Sequence, residues 1–149
     1  MPLTATKRFV NNSNVSFTPA GGGSAVDARG VQSVGDDPGI ELLNMAGDAD
    51  FWDTTVVAVR GARTVTIELL EIGTFNTVTP GAIGTLVWTR NDARNAAAAG
   101  GGALVYTLSE AVYKGMPVNS AHRQAAKGTI SFEAQSVDGA TDPLTITSA

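Results

Sequence analysis

Cysteine is absent from the 149-residue chain, so no disulfide framework holds the fold and no thiolate is available as nucleophile or metal ligand. That absence fits a reducing compartment. Histidine is nearly absent too: His122 is the one copy, set between Ala121 and Arg123 in a polar stretch. One histidine without cysteine cannot assemble a zinc centre or a Cys–His or Ser–His device in the usual form. His122 therefore reads as an ordinary turn residue. No apolar run approaches the roughly 18 residues a membrane helix needs. The N-terminal MPLTATKRFVNNSN also lacks the apolar segment of a signal peptide. Charge is scarce, at 16% of residues, where about a quarter is typical. The net charge of −4 leaves no basic stripe to neutralise phosphates, which argues against general nucleic-acid binding.

Alanine, threonine, glycine and valine fill the gap, a composition suited to strands and tight turns rather than long helices. More of the surface than usual is neutral, which an assembling protein can use. The length supports one domain over residues 1–149, with a real core. Within it, residues 1–14 read as an N-terminal arm and residues 35–53 as a long loop.

The clearest pattern lies in the C-terminal third. In residues 103–118, Leu104, Tyr106 and Leu108 alternate with Val105, Thr107 and Ser109, and the phase shifts after Glu110 and Ala111. In residues 124–136, Ile130, Phe132 and Ala134 share one face, and Thr129, Ser131, Glu133 and Gln135 the other. A period of two with one apolar and one polar face marks half-buried antiparallel strands. The short link at 119–123 makes a hairpin-like return the simplest connection. An Asp138-Gly139 turn and Asp142-Pro143 then lead into a terminal LTIT strand.

Upstream, residues 15–18 predict a brief strand stopped by Pro19 and Gly21 to Gly23, with another possible around Arg8 to Val10. Val26, Val31 and Val34 predict a strand region in which Gly30 marks a bulge. Residues 35–53 open with a Gly-Asp-Asp-Pro-Gly turn, carry Ile40, Leu42 and Leu43, and close with Phe51-Trp52. So long a connection within a compact domain is usually functional or ordered by a partner. Val57 and Val59, then Val65, Ile67 and Leu69, predict strands over 54–62 and 63–72, with Gly61-Ala62 as a tight turn between them. Residues 75–81 read as a Thr-rich loop, and 84–90 as a strand with Leu86 and Trp88 on one face. Residues 91–102, NDARNAAAAGGG, carry the only helix chemistry: a capping Asn91 or Asp92, an alanine run, and Gly100 as a stop. The fold class expected is all-β, an antiparallel sandwich or barrel with one short helix.

Chemistry is sparse. Asp48, Asp50 and Asp53 form the best acidic cluster, and oxygen-rich loops can hold calcium. The run lacks the sharp-turn glycine and terminal glutamate of an EF-hand loop, so a solvated turn is the simpler reading. Asp36-Asp37 before Pro38 reads the same way. Neither glycine triplet, 21–23 nor 100–102, ends in the Gly-Lys-Ser/Thr of a phosphate loop. Glu68 and Glu71 stand three apart in an expected strand, so they face opposite sides and cannot work as paired glycosidase acids. No catalytic residue, metal ligand or cofactor emerges.

The order of features in residues 104–118, 128–134 (GTISFEA) and 138–146 resembles the tail-tube proteins of long-tailed bacteriophages. Pro80-Gly81-Ala-Ile-Gly-Thr-Leu86 running into Val87-Trp88 is similar to the turn and strand before the helix of that family. The family usually has a clearer amphipathic helix than residues 91–102 offer. The resemblance implies a β domain of the tail-tube type, made in the host cytoplasm and carried in the virion tail. It implies hexameric rings whose sheets join edge to edge into one inner barrel, removing free strand edges. Stacked rings would form a conduit for genome ejection. A lumen carrying carboxylates would let DNA pass without specific binding. Other tail proteins are implied as partners, with no membrane, cofactor or enzymatic role. Ile40, Leu42, Leu43, Phe51 and Trp52 are then the inter-ring contact candidates, with the N-terminal arm and residues 144–149 as second candidates. The plainer reading of Phe51-Trp52 is a lid on the domain's own core. Two alternatives stand beside the tube. One is another virion part: a capsid decoration protein, a tail terminator or a tube-like secretion protein. The other is a carbohydrate-binding or adhesion module using Trp52, Trp88, Tyr106 or Tyr113 as a platform.

Overall fold

The computed structural model describes residues 10–49, 51–53, 55–92 and 103–148. Among the described residues there are eleven strands in chain order. They are β1 (Val10–Pro19), β2 (Val26–Asp27), β3 (Val31–Asp37), β4 (Ile40–Met45), β5 (Thr55–Gly61), β6 (Thr64–Leu69), β7 (Ile83–Asp92), β8 (Ala103–Gly115), β9 (Val118–Asn119), β10 (Lys127–Ala134) and β11 (Leu144–Ser148). The main sheet runs β2-β1-β7-β8-β10-β6-β3, with β11 added beside β8 and β9 beside β10; β4 and β5 form a second sheet. The pairings are antiparallel throughout. The all-β expectation holds.

Alternation builds the core. Val65, Ile67 and Leu69 of β6 are fully buried, as are Ile130 and Phe132 of β10, while Thr66 between them is exposed. Leu86 and Trp88 of β7 meet Tyr106 and Leu108 of β8 on the same face. The Trp88 and Tyr106 rings stack at 5.2 Å and 11°, with the Arg90 guanidinium 5.0 Å from the Tyr106 centroid. Phe17, Tyr113 and Phe132 form the other aromatic centre, with centroids 5.1–6.4 Å apart.

The phase shift at Glu110 has a structural cause. Glu110 takes a positive φ of 52°, and β8 changes partner there. Leu104 to Leu108 pair with β11, whereas Ala111 to Gly115 pair with β10. Gln135 N–H donates to Glu110 O across the change-over. The bulge lets one strand serve two neighbours end to end while keeping its apolar residues inward.

Several expectations are corrected. Glu71 lies beyond the end of β6, so it is not a strand residue. Residues 75–81 are not a plain loop: Thr74–Thr77 make a 3-10 turn that buries Phe75, and Val78 follows it into the core. Asn91 and Asp92 close β7 instead of capping a helix. The rest of the expected helix, the Gly100 to Gly102 triplet, Asp50, and Arg8 with most of the N-terminal arm lie outside the described residues.

One relation fixes the poles of the molecule. At one end of the β3–β6–β10 ribbon, Val31, Leu69 and Gly128 stand in register; at the other stand Asp37, Thr64 and Glu133. The β4–β5 pair leaves the second end. The link over residues 117–127 sits at the first, where Val118 pairs with Gly128.

Candidate assembly surface

Residues 35–53 are expected to be a loop; nine of them, 35–37 and 40–45, are strand. Asp37 pairs with Thr64 and Ile40 with Gly61, while Ala62 N–H donates to Gly39 O at 3.2 Å. The β3–β4 and β5–β6 strands are therefore one long hairpin, pinched at residues 38–39, and Gly61-Ala62 is part of the joint instead of a turn between paired strands. The sequence explains the pinch. Asp37 Oδ1 accepts from Gly39 N–H at 2.9 Å, and Pro38 has no N–H to give the ladder. Gly39 holds φ +56°, and a Cβ there would overlap Ala62 O. Only glycine suits that position.

Beyond the pinch, β4 and β5 project as an arm about 20 Å long at about 3.3 Å per residue. Leu42 stands opposite Ala58 and Leu43 opposite Val57, and neighbours along a strand point to opposite faces. Both faces of the arm are therefore apolar. Ile40, Leu42, Leu43, Met45, Val56, Val57 and Val59 are each between 43% and 55% exposed. At the tip, Phe51 is 89% and Trp52 78% exposed, packed edge to face at 5.1 Å. This disposes of the lid reading: Phe51 and Trp52 do not cover the core. The five first contact candidates, Ile40, Leu42, Leu43, Phe51 and Trp52, sit on this arm, whereas residues 144–148 of the second candidates form β11 in the main sheet. Met45, Val56, Val57 and Val59 were missed, because a run such as TVVAV reads as a strand of the body.

The arm root is clamped. Arg63 donates to Asp36 at 2.8 Å, and through Nε and Nη2 to both oxygens of Asp142 at 2.9 and 2.6 Å. Its hydrogen bond to Asp142 holds the guanidinium pKa above the ordinary arginine value and the Asp142 carboxyl below the ordinary carboxylate range. Asp142 belongs to the turn before β11. There Asp138 accepts from Thr141 Oγ1, Thr141 N–H, Ala140 N–H and Ser136 Oγ, which pushes its carboxyl far below the ordinary range. Gly139 follows at φ +73°, as the Asp-Gly pair predicts.

The face opposite the core on β7, the first half of β8 and β11 presents the uncharged Thr85, Val87, Thr89, Val105, Thr107, Thr145 and Thr147. On β6 and β10 the same side carries Glu68 and Glu133, within 3.6 Å of Lys127 and 3.8 Å of Lys114. Among the described residues no group of His, Asp or Glu is placed to hold a metal ion. His122 is exposed in the 117–127 link. Of the aromatic platform candidates, Trp88, Tyr106 and Tyr113 are buried; only Trp52 is exposed, on the arm tip.

No protein-family model and no curated protein matches the chain. Among solved structures, the chain is similar to one in the cryo-EM structure of the anti-feeding prophage baseplate, 6-fold symmetrised, with TM-score 0.53 and 10% identity over 99% of this chain and 96% of that one. That likeness concerns the fold. Weaker likenesses are to Hcp1 from Flavobacterium johnsoniae (TM-score 0.48, 17% identity, covering 92% of this chain and 97% of that one) and to an Hcp protein (TM-score 0.40, 11% identity, covering 93% and 99%).

Proposed function

We propose that this chain is the structural subunit of a hollow tube, its copies joined edge to edge into hexameric rings that stack through the β4–β5 arm, in a phage tail or a related tube-like particle. The observation that carries the reading is the arm itself. A two-stranded ribbon is marginal in water on its own. One that is apolar on both faces matches strands that are covered on both sides. Exposed apolar surface of this kind marks an interaction site, and a copy of the same chain is the simplest cover. The fold likeness to a chain of a six-fold baseplate supports a ring-forming role.

A tail of a long-tailed phage, made in the host cytoplasm, is the specific form favoured, and DNA is the cargo proposed for the lumen. The uncharged threonine face and the balanced Glu–Lys pairs offer a polyanion little to hold, which suits passage without specific binding. This revises the expected carboxylate-lined lumen toward a neutral one. The role is structural and needs no catalysis. The adhesion alternative keeps one of its four platform candidates, Trp52 on the arm tip, because Trp88, Tyr106 and Tyr113 are buried.

The test is negative-stain electron microscopy across a concentration series, on the natural chain and on a variant in which residues 39–62 are replaced by a two-residue Asn-Gly turn. Six-fold rings and tubes are expected from the first, and rings without stacks from the second. A strictly monomeric natural chain at the highest concentration would refute the tube. Stacks formed by the armless variant would refute the role of the arm.

A further inference from the structure

The arm tip carries Asp48 and Asp53 around Phe51-Trp52, and the sequence has no cation in residues 46–53. Its partner should therefore offer apolar room with positive charge at the rim. Residues 114–127 hold Lys114, Arg123 and Lys127 with His122, and no acidic residue. Within this stretch a cleft of about 520 Å³ mixes apolar Pro117, Val118 and Ala121 with polar Gln124, Lys127 and Glu68, the last 3.6 Å from Lys127. An apolar cavity of about 150 Å³ holds a benzene, so this cleft has room for both rings of the tip. A second cleft, about 260 Å³ at the arm root, is lined by Arg63 and Asp142, which satisfy each other at 2.6 Å and leave no free cation for an acidic tip.

Position agrees with charge. The arm leaves the Asp37–Thr64 end of the β3–β6 ribbon, while the 117–127 link lies at its Val31–Leu69 end. Tip and cleft thus occupy opposite poles of one molecule and meet only between copies. We propose that the arm tip of one copy docks in the 117–127 cleft of another, Phe51 and Trp52 against Pro117, Val118 and Ala121, and Asp48 and Asp53 facing Arg123 and Lys127. Such a contact is head to tail, so between stacked rings it repeats along the axis and sets the stacking direction. The inference rests on the tube reading and names the surface that receives the arm.

The experiment is charge exchange on the full chain. Asp48→Arg with Asp53→Arg, and separately Arg123→Asp with Lys127→Asp, are expected to raise the concentration needed for stacking about a hundredfold while rings persist. Combining all four exchanges restores stacking. Arg123 has φ +62°, a conformation that aspartate tolerates, so its exchange keeps the link intact. A second measurement uses the absence of cysteine: Trp52→Cys and Ala121→Cys variants, mixed and oxidised, should give a mixed disulfide, which forms only when Cα atoms come within about 7 Å. Stacking indifferent to both reversals, a fourfold exchange that fails to restore it, or Trp52→Cys and Ala121→Cys chains that stack without cross-linking would overturn the docking and leave the tube standing. A natural chain that forms neither rings nor stacks would overturn both.

Discussion

Replacing Arg63 by methionine isolates what the clamp at the arm root contributes. Methionine keeps an apolar stem in the space the arginine stem fills and removes every donor. The arginine side chain is 13% exposed and its partner Asp36 19%, whereas Asp142 is 54% exposed. Water can replace the guanidinium at Asp142, so that half contributes little. Asp36 is left mostly buried without its 2.8 Å partner. Hydrogen bonds to charged groups contribute about 1.5–3 kcal/mol net, and the total loss should lie near 2 kcal/mol by that scale. In a chain of this size each kcal/mol moves the melting temperature by about 2–4 °C, so a drop of about 4–8 °C is expected by circular dichroism at pH 7.

The pH dependence carries a sign. The folded Asp142 pKa is lowered, so its contribution is fully present above the ordinary carboxylate value and is lost as pH falls through the folded one. Arg63 is raised, so its own contribution persists at every pH below the ordinary arginine value. Asp142 contributes the minor part of the loss, so the gap between wild type and variant should narrow only slightly once pH falls below about 4. A melting temperature unchanged at pH 7, or a gap that widens below about pH 4, would refute the clamp.

Two further substitutions probe the body. Phe132 is fully buried, 5.1 Å from the Phe17 ring and 5.4 Å from the Tyr113 ring; Phe132→Ala should cost about 3–5 kcal/mol in urea unfolding, and Phe132→Leu much less. At Gly84 a Cβ would overlap Thr18 O and lie 2.8 Å from Pro19 Cα, whereas at Gly73 it would meet nothing within 4 Å. Gly84→Ala should thus cost about 3 kcal/mol and Gly73→Ala no more than about 0.5 kcal/mol; equal effects would show that the β1–β7 approach is looser than it looks.

The arm also defines a hazard. A free ribbon with apolar faces pairs with whatever strand edge or apolar surface it meets. Its acidic tip and the pinch at residues 38–39 limit this by repelling other tips and by fixing the direction in which the arm leaves the sheet. Ordered stacking and disordered aggregation thus draw on the same residues, and charge at the two poles selects between them.

Local chemistry was enough to write down the strands of the body. Alternation in β6, β7, β8 and β10 states which side chains leave water, and the register of a half-buried strand follows from that alone. The Glu110 phase shift, the Asp138-Gly139 turn and the Pro19 stop were equally legible, because each is decided within a few residues. The sequence also placed Ile40, Leu42, Leu43, Phe51 and Trp52 among the contact candidates. It could not show that Ile40, Leu42 and Leu43 stand on a strand, since an apolar run without alternation states only that both faces seek cover and not whose surface provides it. That β3 to β6 form one hairpin, that Phe75 reaches the core from a connecting turn, and that Arg63 joins residues 27 and 79 positions away depended on pairings between distant segments. Burial preference is a property of a residue. Its partner is chosen by the whole chain, through contacts whose energies exist only once the sheet has closed around them.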